Sequence, residues 1–269
     1  MADLQQFSNT LTIVKIGGNV IDDASRLSDF LQSFAQLKGQ KILVHGGGKL
    51  ATAVADQLGI PQQVVDGRRI TDDQTLKVVT MVYAGFINKN IVATLHAFGC
   101  AATGITGADG NAILAHKRVK GSVDYGFAGD VDKVQASYFV SLLQQELAVV
   151  VAPITHDGKG QLLNTNADTI ANEIATALSS QYDVQLVYCF EKAGVLLDAA
   201  DESSVIPAID PAKYEALKQN NQVFAGMLPK LDNAFAAIKK GVRMVMIGKA
   251  EALPQLVNGQ SGTTIVHER

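Results

Sequence analysis

The sequence predicts an α/β fold in which helices cover both faces of a mostly parallel central sheet, giving a three-layer αβα sandwich. Short apolar runs rich in β-branched residues are nearly continuous rather than alternating, which is typical of strands buried on both faces. Segments with helical spacing separate these runs, and such alternation of strand and helix favours parallel pairing. Several helical segments also end near a glycine, as helix C-caps commonly do.

The elements can be assigned in chain order. The predicted strands are LTIVKI (11–16), KILVH (41–45), LAVVVAPI (147–154), VQLVYCF (184–190) and VRMVMI (242–247). The predicted helices are ASRLSDFLQSFAQL, KLATAVADQLG, DDQTLKVVTMVYAGFINKNIVATLHAFG, NADTIANEIATALS and PKLDNAFAAIKKG. The interval from about 101 to 131 carries turn residues and short β-prone pieces, so we expect inserted hairpins there. We expect a single domain over 1–269, with a soft division near residue 180 between two lobes.

Composition narrows the class of ligand. The chain of 269 residues is 47% hydrophobic, 18% charged and 6% aromatic, which allows a sizeable core. Its net charge is −3 and its basic residues are scattered singly, so neither a nucleic acid nor a membrane surface is a predicted partner. MADLQQFSNT lacks the features of a signal peptide, and no run approaches the roughly 18 uninterrupted apolar residues that span a bilayer. We therefore expect a cytoplasmic protein with small-molecule ligands.

Cysteines and histidines give no sign of a metal centre. The two cysteines and five histidines show neither CxxC nor HExxH spacing. No resident metal is predicted.

Two glycine loops each follow a predicted strand. KIGGN contains Gly17 and Gly18, and VHGGGK contains Gly46, Gly47 and Gly48. Both loops lead into predicted helices, so their bare backbone amides are expected at the carboxyl ends of parallel strands, where they suit a polyphosphate. A tight turn needs about one glycine. Five glycines in two turns exceed that need.

Two other phosphate-binding patterns compete for these glycines. A P-loop is excluded, because Leu43 stands where its first glycine should be and Leu50 replaces the hydroxyl that ligates magnesium. A dinucleotide fingerprint, G-x-G-x-x-A, runs from Gly46 to Ala51, with Asp66 about twenty residues further on. This fingerprint gives the glycines of KIGG no function. A NAD-binding oxidoreductase nevertheless stays open as an alternative.

Two lysines stand where packing alone does not favour a cation. Lys15 lies near the end of an apolar strand, where its ammonium needs a cleft or an anion. Lys230 follows Pro229, a residue suited to a first helical turn, so its charge lies at the positive end of a helix dipole. A bound phosphate would offset the unfavourable placement of both ammonium groups. The alternative for each lysine is that its ammonium is solvated.

Further polar residues follow the strand VVVAPI. The segment NTNAD contains Thr165-x-x-Asp168, which has the spacing of a helix capping box. Its place also puts Asn164 and Asp168 at the edge of an open α/β sheet, where ligands bind. GRRIT supplies Arg68 and Arg69, and one guanidinium is suited to hold a carboxylate through two parallel hydrogen bonds. Ordinary solvated arginines are the alternative.

The ordered set of motifs resembles the amino-acid kinase family, and most closely its acylglutamate kinase branch. KIGGN, VHGGGK, GRRIT, GFAGDV, NTNAD and GMLPKL follow one another over nearly the whole chain. Relatives acting on aspartate, glutamate, carbamate or UMP share the first two loops, whereas GRRIT with NTNAD and GMLPK resembles the acylglutamate branch. The resemblance implies the carbamate kinase-like fold and ATP-dependent phosphorylation of the γ-carboxylate of N-acetyl-L-glutamate, or of a close N-acylglutamate such as N-succinylglutamate. This is the second step of arginine biosynthesis.

The resemblance also implies a role for each motif. Lys15 and Lys230 would stabilise charge on the transferring phosphoryl group, and Asp168 would hold both lysines. Mg²⁺ would arrive on the ATP phosphates. The implied substrate-binding residues, in a lobe of about 1–180, are Gly46, Gly47, Gly48, Arg69 and Asn164. The implied ATP-binding residues, most of them in a lobe of about 181–269, are Gly17, Gly18, Lys192, Ala193, Gly194, Val195, Leu196, Leu197, Gln222, Val223 and Phe224.

The chain departs from the family pattern in three places. CFEKAG stands where relatives commonly have serine or threonine followed by aspartate, and AGM replaces a double glycine before Lys230. About ten residues precede the first predicted strand, so the long N-terminal helix of arginine-inhibited hexameric relatives is not expected. We therefore expect a homodimer without arginine feedback. A non-catalytic nucleotide or amino-acid sensor on the same scaffold is the second alternative, since a fold does not establish activity.

Overall fold

The computed structural model describes residues 9–65, 67–198, 200–220 and 227–266. Its strands are β1 (Thr10–Ile16), β2 (Gln40–His45), β3 (Val64–Val65), β4 (Arg68–Arg69), β5 (Ala102–Ile105), β6 (Ile113–Lys120), β7 (Val123–Val134), β8 (Ala148–Val151), β9 (Ile154–His156), β10 (Leu162–Thr165), β11 (Asp183–Phe190), β12 (Ala208–Ile209), β13 (Met244–Lys249) and β14 (Thr263–Ile265). Asp66, Gln222, Val223 and Phe224 lie outside the described residues.

The helices alternate with these strands as the sequence predicts. They are α1 (Gly18–Ile21), α2 (Ala24–Gln36), α3 (Gly48–Gln57), α4 (Asp73–Thr80), α5 (Asn88–Ala97), α6 (Ala136–Leu143), α7 (Ala167–Leu178), α8 (Pro211–Gln219), α9 (Leu228–Lys239) and α10 (Leu253–Val257). Short 3₁₀ turns occupy Asp109–Asn111 and Ala250–Ala252.

The main sheet has β1 near its centre. Eight strands run in the order β12-β14-β13-β11-β1-β2-β8-β5. From β13 to β5 every pairing is parallel, whereas β14 runs antiparallel to its neighbour β13 and β12 pairs parallel with β14. The predicted mostly parallel sheet is confirmed. Because β1 has β2 on one side and β11 on the other, its carboxyl end adjoins both halves of the sheet.

Side-chain alternation along β1 divides the core into two layers. Leu11 and Ile13 pack in a cluster with residues of α6, α7 and α9, whereas Val14 and Ile16 pack in a second cluster with α2, α3 and the helices from α4 to α5. Helices therefore cover both faces, and the predicted three-layer sandwich is confirmed. Since successive side chains of a strand point to opposite faces, Lys15 shares its face with Leu11 and Ile13.

The inserted region is partly a hairpin. β6 and β7 pair antiparallel, as predicted, and close a small barrel with β9 and β10. The expectation is wrong for β5, which pairs in parallel with β8 at the edge of the main sheet. Four residues are too few to show the periodicity that separates a sheet strand from an arm of a hairpin.

β7 also holds the GRRIT segment in place. Gly126 has φ of 62°, and a Cβ there would lie 2.2 Å from the Thr71 carbonyl oxygen. Only glycine permits this approach, in which Thr71 N–H donates to the Tyr125 carbonyl at 3.1 Å and Phe127 N–H donates to the Thr71 carbonyl at 2.6 Å. The barrel therefore positions Arg68 and Arg69 beside the sheet edge.

A long helical segment packs under the sheet. α4 continues through a π-helical stretch, Met81–Ile87, into α5. Within the described ranges, Asp73–Ala97 is the one helix long and apolar enough to cross a membrane by length and composition. Its inner residues, among them Val79, Ile91 and Leu95, are buried in the second core cluster, which is the environment of a core helix.

Candidate active site

Lys15 is fixed at the centre of the sheet by an ion pair. Its ammonium lies 2.7 Å from Asp168 Oδ1, and the lysine is 8% exposed. Strand alternation directs Lys15 to the α7 face, and Asp168 lies in the first turn of α7. The helix dipole favours a carboxylate there. The cation that the sequence marked as misplaced therefore has a partner from a distant part of the chain.

The capping-box alternative for Asp168 is not what the structure shows. The N-cap of α7 is Asn166, whose side-chain oxygen accepts from Thr169 N–H at 3.0 Å. Thr165 is instead bonded through its hydroxyl to Thr155 at 2.7 Å. Because a different residue caps the helix, the Asp168 carboxylate is left to face Lys15.

The second glycine loop requires glycine at one position above all. Gly47 has φ of 144°, and a Cβ there would lie 2.3 Å from Ile87 Cδ1. Gly46 N–H donates to the Ile16 carbonyl at 3.1 Å, which ties this loop to the end of β1. The two glycine loops therefore lie side by side, as the sequence predicts.

His45 supports this loop from behind. The ring is fully buried, with Nδ1 2.8 Å from the Gly46 carbonyl oxygen and Nε2 3.3 Å from Asn88 Nδ2. A carbonyl only accepts, so Nδ1 carries the proton and Nε2 accepts from Asn88. Burial lowers the pKa of His45 to about 4. His45 is therefore neutral and bonded to nearby backbone, which is a structural role.

A first cleft of about 420 Å³ opens beside the glycine loops. All five predicted substrate-binding residues line it, namely Gly46, Gly47, Gly48, Arg69 and Asn164. The Arg69 guanidinium donates to the Gly48 carbonyl at 2.8 Å and to Thr52 Oγ1 at 2.9 Å. Asn164 Nδ2 donates to Thr71 Oγ1 at 3.1 Å. The small barrel, helix α3 and the edge of the main sheet therefore meet in one polar cleft.

A second cleft of about 620 Å³ lies on the other side of Lys15. Among its lining residues are the predicted ATP contacts Gly17, Lys192, Gly194, Val195 and Leu196. Ala193 and Leu197 do not line it, and Gly18 lines the first cleft instead. The two clefts share Lys15 and Gly17. Ligands in the two clefts would therefore approach each other at this lysine.

The loop after β11 is organised by a buried hydroxyl. Thr263 Oγ1 accepts from Val195 N–H at 2.8 Å and donates to the Ile206 carbonyl at 2.7 Å. A Cβ at Gly194 would lie 2.8 Å from the same oxygen. This contact fixes the backbone that forms one wall of the second cleft.

Lys230 lies on an aromatic ring rather than on a carboxylate. Its ammonium is 3.4 Å from the centroid of Phe190, and in the part of the chain that the structure describes it has no ion pair within 4.0 Å. Burial lowers the pKa of Lys230, the neighbouring Lys15 lowers it further, and Asp168 opposes both effects. The implied arrangement, with Asp168 holding both lysines, is therefore seen for Lys15 alone.

The site as a whole is suited to anionic ligands. Two ammonium groups and the amides of two glycine loops surround the point where the clefts meet. Such donors stabilise negative charge that develops on a transferring group. Among residues 9–65, 67–198, 200–220 and 227–266, no three His, Cys, Asp or Glu side chains come together as metal ligands.

Sequence reasoning missed several lining residues. Tyr83 reaches the first cleft from the π-helical stretch, and Phe190 and Met227 line the second. Phe190 lies in CFEKAG, the segment that departs from the family pattern, and that departure was the available signal. Tyr83 sits in a long helical pattern with no local mark of a site.

Comparison with known proteins gives a consistent result. The sequence profile described as "Amino acid kinase family" matches residues 10–249. The chain is 55% identical over 259 residues to the acetylglutamate kinase of Cytophaga hutchinsonii, covering 95% of this chain and 98% of that protein. It is 38% identical over 247 residues to the acetylglutamate kinase of Methanopyrus kandleri, covering 90% and 96%.

Solved structures share the fold at lower identity. An N-acetylglutamate synthase from Neisseria gonorrhoeae, complexed with coenzyme A and N-acetyl-glutamate, superposes with a TM-score of 0.83 at 20% identity, covering 98% of this chain and 61% of the longer synthase. The carbamate kinase of Giardia superposes with a TM-score of 0.70 at 14% identity, covering 97% and 99%.

Proposed function

The chain belongs to the amino acid kinase family, and from that premise we propose that it transfers the γ-phosphoryl group of ATP to the γ-carboxylate of N-acetyl-L-glutamate. The product is the acyl phosphate, formed in the second step of arginine biosynthesis. Identity of 51–55% to several acetylglutamate kinases over nearly the whole chain supports this activity. The observation that carries it is the meeting of two clefts at Lys15. The dinucleotide alternative lacks any comparable support.

Phosphoryl transfer to a carboxylate requires stabilisation of negative charge more than transfer of a proton. A glutamate side-chain carboxylate is already ionised at pH 7, so the nucleophile needs no general base. The main barriers are the approach of two anions and the charge that spreads over the phosphoryl oxygens. Lys15, held by Asp168, lies where the two anions would meet. Lys230 and the amide of Gly17 would supply further positive potential from the side of the second cleft.

The acylglutamate would occupy the first cleft. Arg69 would hold its α-carboxylate and Asn164 its α-substituents, while the amides of Gly46, Gly47 and Gly48 hold the reacting end. All five line that cleft. In this arrangement the lobe of about 1–180 binds the acceptor.

ATP would occupy the second cleft, in the lobe of about 181–269. The loop from Lys192 to Leu197 and the residues Gln222, Val223 and Phe224 would contact base and ribose, and Gly17 and Gly18 would contact the phosphates. Mg²⁺ would be carried by the ATP phosphates, where it neutralises charge on the triphosphate.

A second acceptor, N-succinylglutamate, is favoured by one observation. Arg68 lines the first cleft beside Arg69, and its guanidinium lies 3.9 Å from Asp130, which Arg118 also contacts at 2.7 Å. Burial and the neighbouring Arg118 lower the pKa of Arg68. Two guanidinium groups on one carboxylate leave positive charge, which a succinyl carboxylate would neutralise and an acetyl group would not.

The remaining expectations are proposals of the same kind. We infer a homodimer, because Met81 and Phe86 of the π-helical stretch are 57% and 66% exposed and a second copy of the chain would cover these apolar side chains. We further propose a cytoplasmic protein with neither nucleic acid nor membrane as partner, and without feedback by arginine.

The test is ADP release by purified protein with ATP and Mg²⁺. N-acetylglutamate, N-succinylglutamate, glutamate and aspartate are compared, with hydroxylamine present to trap an acyl phosphate as its hydroxamate. Hydroxamate from one acylglutamate, abolished in Lys230→Ala, supports the kinase and identifies the acyl group. Binding of ATP without turnover of any acceptor would favour the sensor instead.

A further inference from the structure

The ring of Phe190 is shared by both lysines of the site. Phe190 ends β11 and lines the second cleft. The ammonium of Lys230 lies 3.4 Å from its centroid and that of Lys15 lies 5.9 Å away. Tyr188 stacks on the same ring at 6.0 Å with an interplanar angle of 8°. An ammonium within about 6 Å of an aromatic face is attracted by the ring quadrupole, by roughly 0.5–2 kcal/mol.

The Phe190 ring can hold the Lys230 ammonium without neutralising its charge, which a carboxylate cannot do. Asp168 lies in the same site, paired with Lys15 at 2.7 Å. An ion pair of Lys230 with Asp168 would cancel its charge, whereas an aromatic face attracts the ammonium without carrying a net charge of its own. Lys230 on Phe190 therefore keeps its positive potential directed into the cleft.

We propose that Phe190 is a positioning residue for phosphoryl transfer, whose ring holds the Lys230 ammonium beside Lys15 and away from Asp168, ready for the phosphates of ATP. This inference rests on the proposed kinase function. The contact is weak enough to be exchanged, because a charge-assisted bond from an ammonium to a phosphate oxygen is stronger than attraction to a ring. The phosphates of ATP can therefore replace the Phe190 ring as the partner of the Lys230 ammonium with little loss of free energy.

The test compares two substitutions at one position. Phe190→Leu keeps apolar bulk but removes the aromatic face, and Phe190→Tyr keeps the face. We expect kcat to fall about tenfold in Phe190→Leu, with the KM for the acylglutamate unchanged, and to stay within about twofold of wild type in Phe190→Tyr. Phe34→Leu is the matched control, since it removes the ring under Lys41, 5.6 Å from that ammonium and outside both clefts, and should leave kcat unchanged.

A second measurement follows Lys230 directly and needs no turnover. Competitive labelling with acetic anhydride over a range of pH, read by mass spectrometry, reports the reactivity of its amine. The charged groups that face Lys230 are Asp168 on α7, Lys15 on β1 and Glu191 after β11. In Phe190→Leu we expect Lys230 to pair with Asp168, so its apparent pKa rises and its labelling slows, while the further change Asp168→Asn reverses both.

Several results would overturn the inference. Wild-type kcat in Phe190→Leu would do so, as would equal losses in Phe190→Leu and Phe190→Tyr, or Lys230 labelling that is the same in wild type and Phe190→Leu. Because labelling is independent of the acceptor, it separates this failure from a failure of the proposed kinase reaction. Thermal unfolding of each variant shows that a loss does not come from misfolding.

Discussion

Lys15 on β1 and Asp168 on α7 are brought to 2.7 Å of each other where the two halves of the sheet adjoin. The side chain of Lys15 is 11% exposed and that of Asp168 is 25% exposed, so water screens this pair less than a surface pair. The carboxylate therefore fixes the direction of the ammonium.

Removing the Asp168 charge should affect catalysis more than folding. In Asp168→Asn, Lys15 loses its fixed direction, and we expect kcat to fall by about 100-fold, the order seen when one stabilising donor is lost. The free energy of unfolding should fall by roughly 1–3 kcal/mol, because a buried cation loses its partner. Steady-state kinetics and urea unfolding measure the two effects. Glu173→Gln, which removes a carboxylate of α7 paired with Lys240 at 3.9 Å, is the control and should retain kcat.

Gly47 and Gly46 should differ sharply in their tolerance of alanine. Gly47→Ala forces an L side chain to φ of 144° and drives its Cβ to within 2.3 Å of Ile87, so the loop must move. We expect a loss of about 1–3 kcal/mol in the free energy of unfolding and a raised KM for the acylglutamate. At Gly46 the nearest atom to an added Cβ is the Ile16 carbonyl oxygen at 3.8 Å. Gly46→Ala should therefore fold as wild type, and equal stability of the two variants would contradict the loop geometry.

His45 should make stability depend on pH in the acidic range. Its pKa is lowered to about 4 in the folded protein, so between that value and its ordinary 6.5 the unfolded chain binds more protons than the folded one. Stability from this group is therefore complete above its ordinary pKa and is lost as the pH falls, by roughly 3 kcal/mol in all. Urea unfolding at a series of pH values measures the slope. His45→Asn, which keeps a donor near the Gly46 carbonyl and does not titrate, should lose that part of the slope.

Thr263 should control the second cleft without affecting the first. Thr263→Val keeps the shape but leaves Val195 N–H and the Ile206 carbonyl without their buried partner. Each unpaired group costs about 1–3 kcal/mol, so the loop should loosen and the KM for ATP should rise while the KM for the acylglutamate stays constant. Thr264→Val, a change at the half-buried next residue, serves as the control. A parallel rise in both KM values would argue against a local effect.

The fold was predictable because its signals are local. Near-continuous apolar strands and amphipathic helices follow from residue spacing, and both glycine loops stand out in short windows. Lys15 was recognisable because an ammonium near the end of an apolar strand needs a partner. Its partner Asp168 was marked by position alone, since the capping-box spacing with Thr165 explained it equally well.

The remaining features depend on tertiary contacts. Thr263 acts through residues distant in sequence and lies in no pattern that indicates a site, and the CFEKAG segment around Phe190 gave no sign of the contact between its ring and Lys230. Gly126 is another example, since its need for glycine comes from the approach of the Thr71 carbonyl, on a different element. β5 was misjudged because its four residues carry too little periodicity to reveal their partner strand.

The junction of the two clefts has a consequence for inhibitor design. Since Lys15 and Gly17 border both cavities, a single molecule can in principle fill them together: an acylglutamate tethered to adenosine through an anionic linker. Once one end is bound, the other end is held at a high effective concentration, so the tethered compound gains affinity without any new contact. The linker length that gives the highest affinity would then measure the distance over which the phosphoryl group is transferred.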